Sequence, residues 1–385
     1  MKWELVRLGD IVELSNGINF DKSSYQKGIK LINVSNFGNR FTPDYNELLE
    51  IKSSCVRESY ILKDGDIIFV RSNGNKELVG RCMLIKHPPL PVTYSGFCIR
   101  ARIIDKQQFD ETFLTYHFKS ILFRRSMSGT SVGANIQNLS QSRLSNYQFK
   151  LPDITIQRKI AKILSAYDNL IENNQKQIKL LEEAAQLLYK EWFVDLRFPG
   201  YENVPIVDGV PKGWNKSLLK EISEFKRGKT ITKNSVNNGS IPVVAGGLEP
   251  AYYHNKANTT APVITVSGSG ANAGFTKLYY NDVWASDCSF VDSNNTEYIY
   301  FVYCFLKNNK DRIDNLQKGS AQPHVYAKDI NALSFNLPNT EILNMFSEII
   351  EPYFALIGKL QKQIRAAEQA RDRLLPKLMS GELEV

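Results

Sequence analysis

The chain has 385 residues and a formal net charge of +8. That length exceeds one ordinary domain and suits two to four. A hydrophobic content of 43%, with 18 tyrosines and 20 phenylalanines, excludes a disordered polymer, and the basic balance favours a polyanionic partner.

No apolar run reaches the roughly 18 residues that span a bilayer. The opening stretch, MKWELVRLGDIVEL, carries Glu4 and Asp10 and has no apolar core, so a secretory signal is not expected there. Cys55, Cys82, Cys98, Cys288 and Cys304 are scattered without a CxxC pair. This argues against a zinc site and a disulfide framework and makes a reducing cytoplasm the expected setting.

In chain order, residues 3–17 read WELVRLGDIVELSNG. A turn at Asp64–Gly65 leads into a strand expected around Ile67–Val70, which exits into a polar loop. A second polar loop, SGTSVGANIQNLS at 128–140, precedes the strand-like run YQFKLP. Proline cannot continue a strand ladder, so that strand ends at the LP dipeptide. Helical period follows, with an apolar stripe at Ile160, Leu164, Tyr167, Ile171, Ile178, Leu181, Ala185, Leu188 and Trp192. Steps of four and three make a heptad seam, and about five heptads give a helix on the order of 50 Å long.

The pattern then recurs. Residues 214–228, WNKSLLKEISEFKRG, align without a gap on residues 3–17: Trp3 with Trp214, Leu8 with Leu219, Ile11 with Ile222, Gly17 with Gly228. A strand around Val263–Val266 and its loop SGSGANAG match the Ile67–Val70 strand and its loop. The loop KGSAQPHVYAKD at 318–329 matches the one at 128–140, and LSFNLP matches YQFKLP. From Leu337–Pro338 onward, Gln361, Lys362, Gln363 and Ile364 fall on Gln175, Lys176, Gln177 and Ile178. The second stripe is Phe346, Ile350, Tyr353, Ile357, Leu360, Ile364, Ala367, Leu374 and Leu378. A self-similar chain of this kind is two copies of one unit.

The stripes break at Asn174 and Arg371. A polar residue on a seam can fix register, or it can lie at a solvated edge; the sequence leaves both open. A long helix with one narrow stripe needs a partner, and the simplest is the equivalent helix of the other copy, antiparallel to it. The expected fold is therefore α+β: two mixed globular domains related by an internal pseudo-two-fold repeat, joined by two long helices forming an antiparallel coiled coil. The boundaries read as 1–150 for the first domain and 151–200 for the first spacer helix and its linker. The second domain takes 201–336, and 337–385 holds the second helix and tail.

Strand-to-loop exits rich in Ser, Asn, Gln and Arg suit base-edge reading: Arg can grip guanine bidentately, and Asn or Gln adenine. A single such loop is more often just a turn, but here two recur at matching places in both copies. The candidate DNA contacts are Arg71, Asn73, Asn75, Lys76, Thr130, Ser131, Asn135 and Gln137 in the first domain. In the second they are Ser267, Ser269, Asn272, Lys318, Ser320, Gln322 and His324.

Catalytic motifs fail. RGKT (Arg227–Thr230) resembles the end of a P-loop, but position 223 is Ser223 where the first glycine is needed. SGSGANAG has the wrong spacing for a dinucleotide fingerprint. HPPL (His87–Leu90) lacks the Asn or Asp and the aromatic of an amino-methyltransferase site. PDITIQRK (Pro152–Lys159) lacks a second nuclease carboxylate. His87, His117, His254 and His324 show no metal-ligand spacing. No catalytic residue and no metal site is expected.

Two copies of a strand, LP and long-helix unit, the W–L–G entry at Trp3–Gly17 and the ending LMSGEL (Leu378–Leu383) resemble the specificity subunit of type I restriction-modification enzymes. The resemblance covers nearly the whole chain. It implies two target-recognition domains on double-stranded DNA, each reading half of a split site, with the coiled coil setting the gap. It implies two methyltransferase subunits that carry S-adenosylmethionine and the adenine chemistry, joined by motor-nuclease subunits, with no cofactor in this chain. Two other classes stay open at this stage: a coiled-coil scaffold that bridges proteins, and a self-contained nuclease.

Overall fold

A computed structural model describes residues 3–38, 40–73, 75, 78–128, 137–319 and 322–385. The chain forms two compact units: Met1–Asn173 with Ile364–Val385, and Asn174–Gln363. The division falls inside both long helices, Ile154–Phe193 and Thr340–Ser380, so each unit holds one globular domain and a segment of each helix.

The two domains share one topology. In the first unit a four-stranded antiparallel sheet runs in the order Val12–Asn16, Cys98–Ile103, Ile67–Val70, Cys82–Leu84. In the second the order is Lys226–Arg227, Cys288–Asp292, Val263–Ser267, Thr276–Tyr279. Each unit adds a three-stranded sheet with one parallel pair: Ile32 lies opposite Tyr94 in the first, and Val244 opposite Ala285 in the second. The central strands, IIFV at 67–70 and VITVS at 263–267, are buried throughout, as continuous β-branched and apolar runs covered on both faces should be.

The LP strands behave as read. Gln148–Pro152 pairs antiparallel with Trp3–Arg7, and Ser334–Leu337 pairs with Asn215–Leu218. The turn that follows each entry strand also repeats: the Leu8 amide donates to the Tyr147 carbonyl at 2.8 Å, and the Leu219 amide to the Leu333 carbonyl at 2.9 Å.

Within each unit the helix segments run antiparallel. In the first, Asp168 meets Arg371 while Lys159 reaches Val385. In the second, Asn174 meets Gln363 while Tyr189 and Trp192 pack on Phe346. Each helix end also covers an entry tryptophan: Gly381 lies against Trp3, and Phe193 and Phe198 against Trp214. Gly381 adopts φ +75°, where a side chain would be strained and would strike the Trp3 indole.

Both seam breaks have a partner on the paired helix. Asn174 is only 2% exposed, and its Nδ2 donates to Gln363 Oε1 at 3.1 Å. Arg371 Nη1 donates to Asp168 Oδ1 at 2.5 Å, and the Tyr116 hydroxyl donates to Oδ2 of the same carboxylate. Burial and the Asp168 charge hold the Tyr116 hydroxyl far above its ordinary range, so it stays a donor. The buried face is wider than the expected stripe. Tyr189 and Phe354 are buried, whereas Tyr167, Leu188 and Tyr353 are half-buried. Tyr189 packs on Phe301, and Phe354 stacks on Tyr300 at 4.6 Å, so these positions face the domain helix Ile299–Asn308.

Candidate nucleic-acid interface

In the first unit the two expected loops come together. After the buried strand Ile67–Val70, residues Ser72–Asn73 pair antiparallel with Gln137–Asn138, Asn73 opposite Gln137. The Leu139 amide donates to the Arg71 carbonyl at 2.8 Å. The Asn73 carboxamide accepts the Asn75 amide at 2.8 Å, which folds the loop back on itself. Arg71 is half-buried and donates from Nη1 to the Gly96 carbonyl at 3.2 Å. That backbone contact braces the guanidinium. The candidates Lys76, Thr130, Ser131 and Asn135 lie outside the described residues, as does Ser320 in the second unit.

The second unit brings its two loops together in the same way. The Val325 amide donates to the Gly268 carbonyl at 3.1 Å and the Gly270 amide to the Pro323 carbonyl at 3.0 Å. Lys318 and His324 exchange both backbone hydrogen bonds at 2.9 Å, closing the loop that carries Gln322, which is exposed. The His324 ring stacks on Tyr326, with 6.0 Å between centroids. Lys318 Nζ pairs with Asp329 at 2.8 Å, and Asn272 Nδ2 donates to the Gly246 carbonyl at 3.4 Å. The Ser269 hydroxyl donates to Asp287. Ser267 leaves the expected contact set. The strand runs one residue past Val266, so Ser267 points inward, 3% exposed, with its hydroxyl on the Ala245 carbonyl.

Both platforms rest on the glycines that align in the repeat. The Gly17 amide donates to the Cys98 carbonyl at 3.2 Å, and the Gly228 amide to the Cys288 carbonyl at 2.8 Å. A Cβ at Gly17 would fall 2.2 Å from the Ser95 carbonyl oxygen, and one at Gly228 would fall 2.4 Å from that of Ser286. Only glycine permits this approach, and it places the turns at 95–97 and 285–287 against the candidate loops.

Sequence reasoning missed those turns, which are short and unremarkable in composition. It also dismissed RGKT as a broken P-loop. In the structure Lys226–Arg227 is an edge strand, and the Lys229 amide donates to the Ala285 carbonyl at 2.9 Å. Lys226, Arg227 and Lys229 are exposed beside the 285–287 turn. Their clustering in KRGK was the available signal.

Burial pushes the Cys82 thiol up to about 11 and the Cys98 and Cys288 thiols up to about 12, which suppresses the reactive thiolate. Among the described residues no group of three His, Cys, Asp or Glu is placed to hold a metal, and no helix is long and apolar enough to cross a membrane.

Residues 1–183 and 211–367 match the family model described as the type I restriction modification DNA specificity domain. The chain belongs to the type I restriction-modification specificity subunits. The MjaIX specificity subunit of Methanocaldococcus jannaschii is 28% identical over 334 residues, covering 80% of this chain and 76% of that one. The MjaX specificity subunit of the same organism, a putative type I enzyme component by its description, is 24% identical across 100% of this chain and 94% of its own length. The crystal structure of the type I S subunit from M. genitalium superposes with a TM-score of 0.65 at 17% identity, covering 98% of this chain and 96% of that one, and so shares its fold. The two matched segments of the specificity subunit are the two copies read from the repeat, and each contains one paired-loop platform.

Proposed function

We propose that this specificity subunit reads a bipartite DNA target, one half-site per recognition domain, and itself carries out no catalysis. The supporting observation is that each unit joins its two polar loops by backbone hydrogen bonds at the end of the same interior strand of its four-stranded sheet, beside the aligned glycine. Binding sites are commonly built this way, as loops on a rigid scaffold. Exposed cations such as Lys226, Arg227 and Lys229 suit phosphate contacts that position the protein, while loop side chains suit base edges. The paired helices act as the spacer between half-sites. Two methyltransferase subunits bring S-adenosylmethionine and methylate adenine, and motor-nuclease subunits join them for restriction, in the cytoplasm where the DNA lies.

The test is duplex binding by the full chain across a salt series. Displacing six to ten counterions lowers affinity by about 10³ to 10⁵ between 50 and 200 mM salt, so a steep slope with preference for one split sequence is expected. Salt-insensitive association with proteins alone would favour a scaffold instead.

A further inference from the structure

The same turn of the repeat ends in a different chemistry in each unit. Val70 lies opposite Cys98, and Ser267 opposite Cys288. The next amide along each strand donates to the turn tip: Arg71 to the Phe97 carbonyl at 2.8 Å, and Gly268 to the Asp287 carbonyl at 3.2 Å. Phe97 and Asp287 are therefore equivalent positions, each bonded directly to a segment that carries the candidate contacts.

Phe97 is 56% exposed, a large apolar ring that the domain does not bury. Asp287 is half-buried, its carboxylate is oriented by the Ser269 hydroxyl, and no cation pairs with it among the described residues. An unneutralised carboxylate on a DNA-facing surface is repelled by phosphate and gains only from a hydrogen-bond donor. In the major groove, guanine presents two acceptors and thymine an acceptor and a methyl, while adenine sets its N7 acceptor beside the N6 amine. Cytosine alone offers its amine with no acceptor on its own major-groove edge, and a carboxylate is the group that accepts from it. The exposed ring at the matching position suits the thymine methyl.

Building on the DNA-reading function proposed above, we infer that this turn tip is a specificity position. Asp287 accepts the N4 amine of a cytosine in one half-site, and Phe97 contacts a thymine methyl in the other.

Selection of the full chain against a randomised duplex library tests this. The wild type should enrich a split motif with cytosine in one half and thymine in the other. Asp287→Ala should lower the preference for that cytosine roughly tenfold to a hundredfold and leave the other half-site intact, which also shows that the variant is folded. Asp287→Asn should move the preference at that position towards adenine, which Asn pairs bidentately. Phe97→Ala should relax the thymine alone. An unchanged motif in the Asp287 variants, or an equal loss on all sequences, would overturn the assignment. No split motif from the wild type would overturn the DNA-reading function itself, and this inference with it.

Discussion

The joint at Asp168 can be broken from one side. Its carboxylate accepts from Arg371 at 2.5 Å and from the Tyr116 hydroxyl, so one group ties both long helices to the domain helix Glu111–Lys119. The Arg371 and Asp168 side chains keep 24% and 18% of their exposure. Exposed ion pairs contribute roughly 0.2–1 kcal/mol, whereas removing one partner of a buried pair costs about 3–5 kcal/mol. This pair lies between those limits, so Arg371→Ala should cost about 2 kcal/mol of local stability. Hydrogen exchange in the Glu111–Lys119 helix would read this as a roughly 30-fold faster opening. Adding Asp168→Asn should recover part of the loss, because the stranded charge disappears. By the repeat alignment, Phe354 and the buried Ala185 stand at the matching places in the second unit, so an apolar joint is compatible with the fold. Unchanged exchange in Arg371→Ala, or full additivity in the double variant, would refute this reasoning.

Three further outcomes are expected. His117 is buried against Phe149, with its Nε2 on the Tyr147 hydroxyl and its Nδ1 unpartnered, and burial lowers its pKa to about 4. The unfolded chain takes up this proton below about pH 6.5 and the folded chain resists it, so stability falls as pH drops from 6.5 to about 4. The loss totals about 3 kcal/mol; urea melts of His117→Phe should show a flatter acid limb, and an unchanged limb would contradict this. Gly17→Ala and Gly228→Ala should each destabilise by about 2–3 kcal/mol and impair one half-site each, as read by melts and binding; tolerance of either would contradict the close approach. Inserting a heptad in both long helices should lengthen the spacer by roughly 10 Å, about three base pairs. Inserting it in one helix alone should disrupt the pair, and an unchanged gap in the matched variant would remove the spacer role.

Much of this was legible because the repeat supplied its own control. Trp3 with Trp214, Gly17 with Gly228 and the two LP strands predicted one fold twice, and both copies have it. Two kinds of feature were hidden. Long-range polar pairs cannot be read from one sequence: Arg371 registers as a seam break, but its partner Asp168 is 203 residues away on the other copy. Strand ends were the other blind spot. Ser267 looks like a loop residue until the pairing with Cys288 carries the strand through it. The turn tips Phe97 and Asp287 showed no motif, and only the hydrogen-bond register makes them equivalent.

The most direct test of the central claim is a base-resolution map of methyladenine in DNA from cells that express this chain with a functional partner methyltransferase. The account predicts a split motif that vanishes when this chain is omitted. The same motif with and without the chain, or none despite an active methyltransferase, would contradict it.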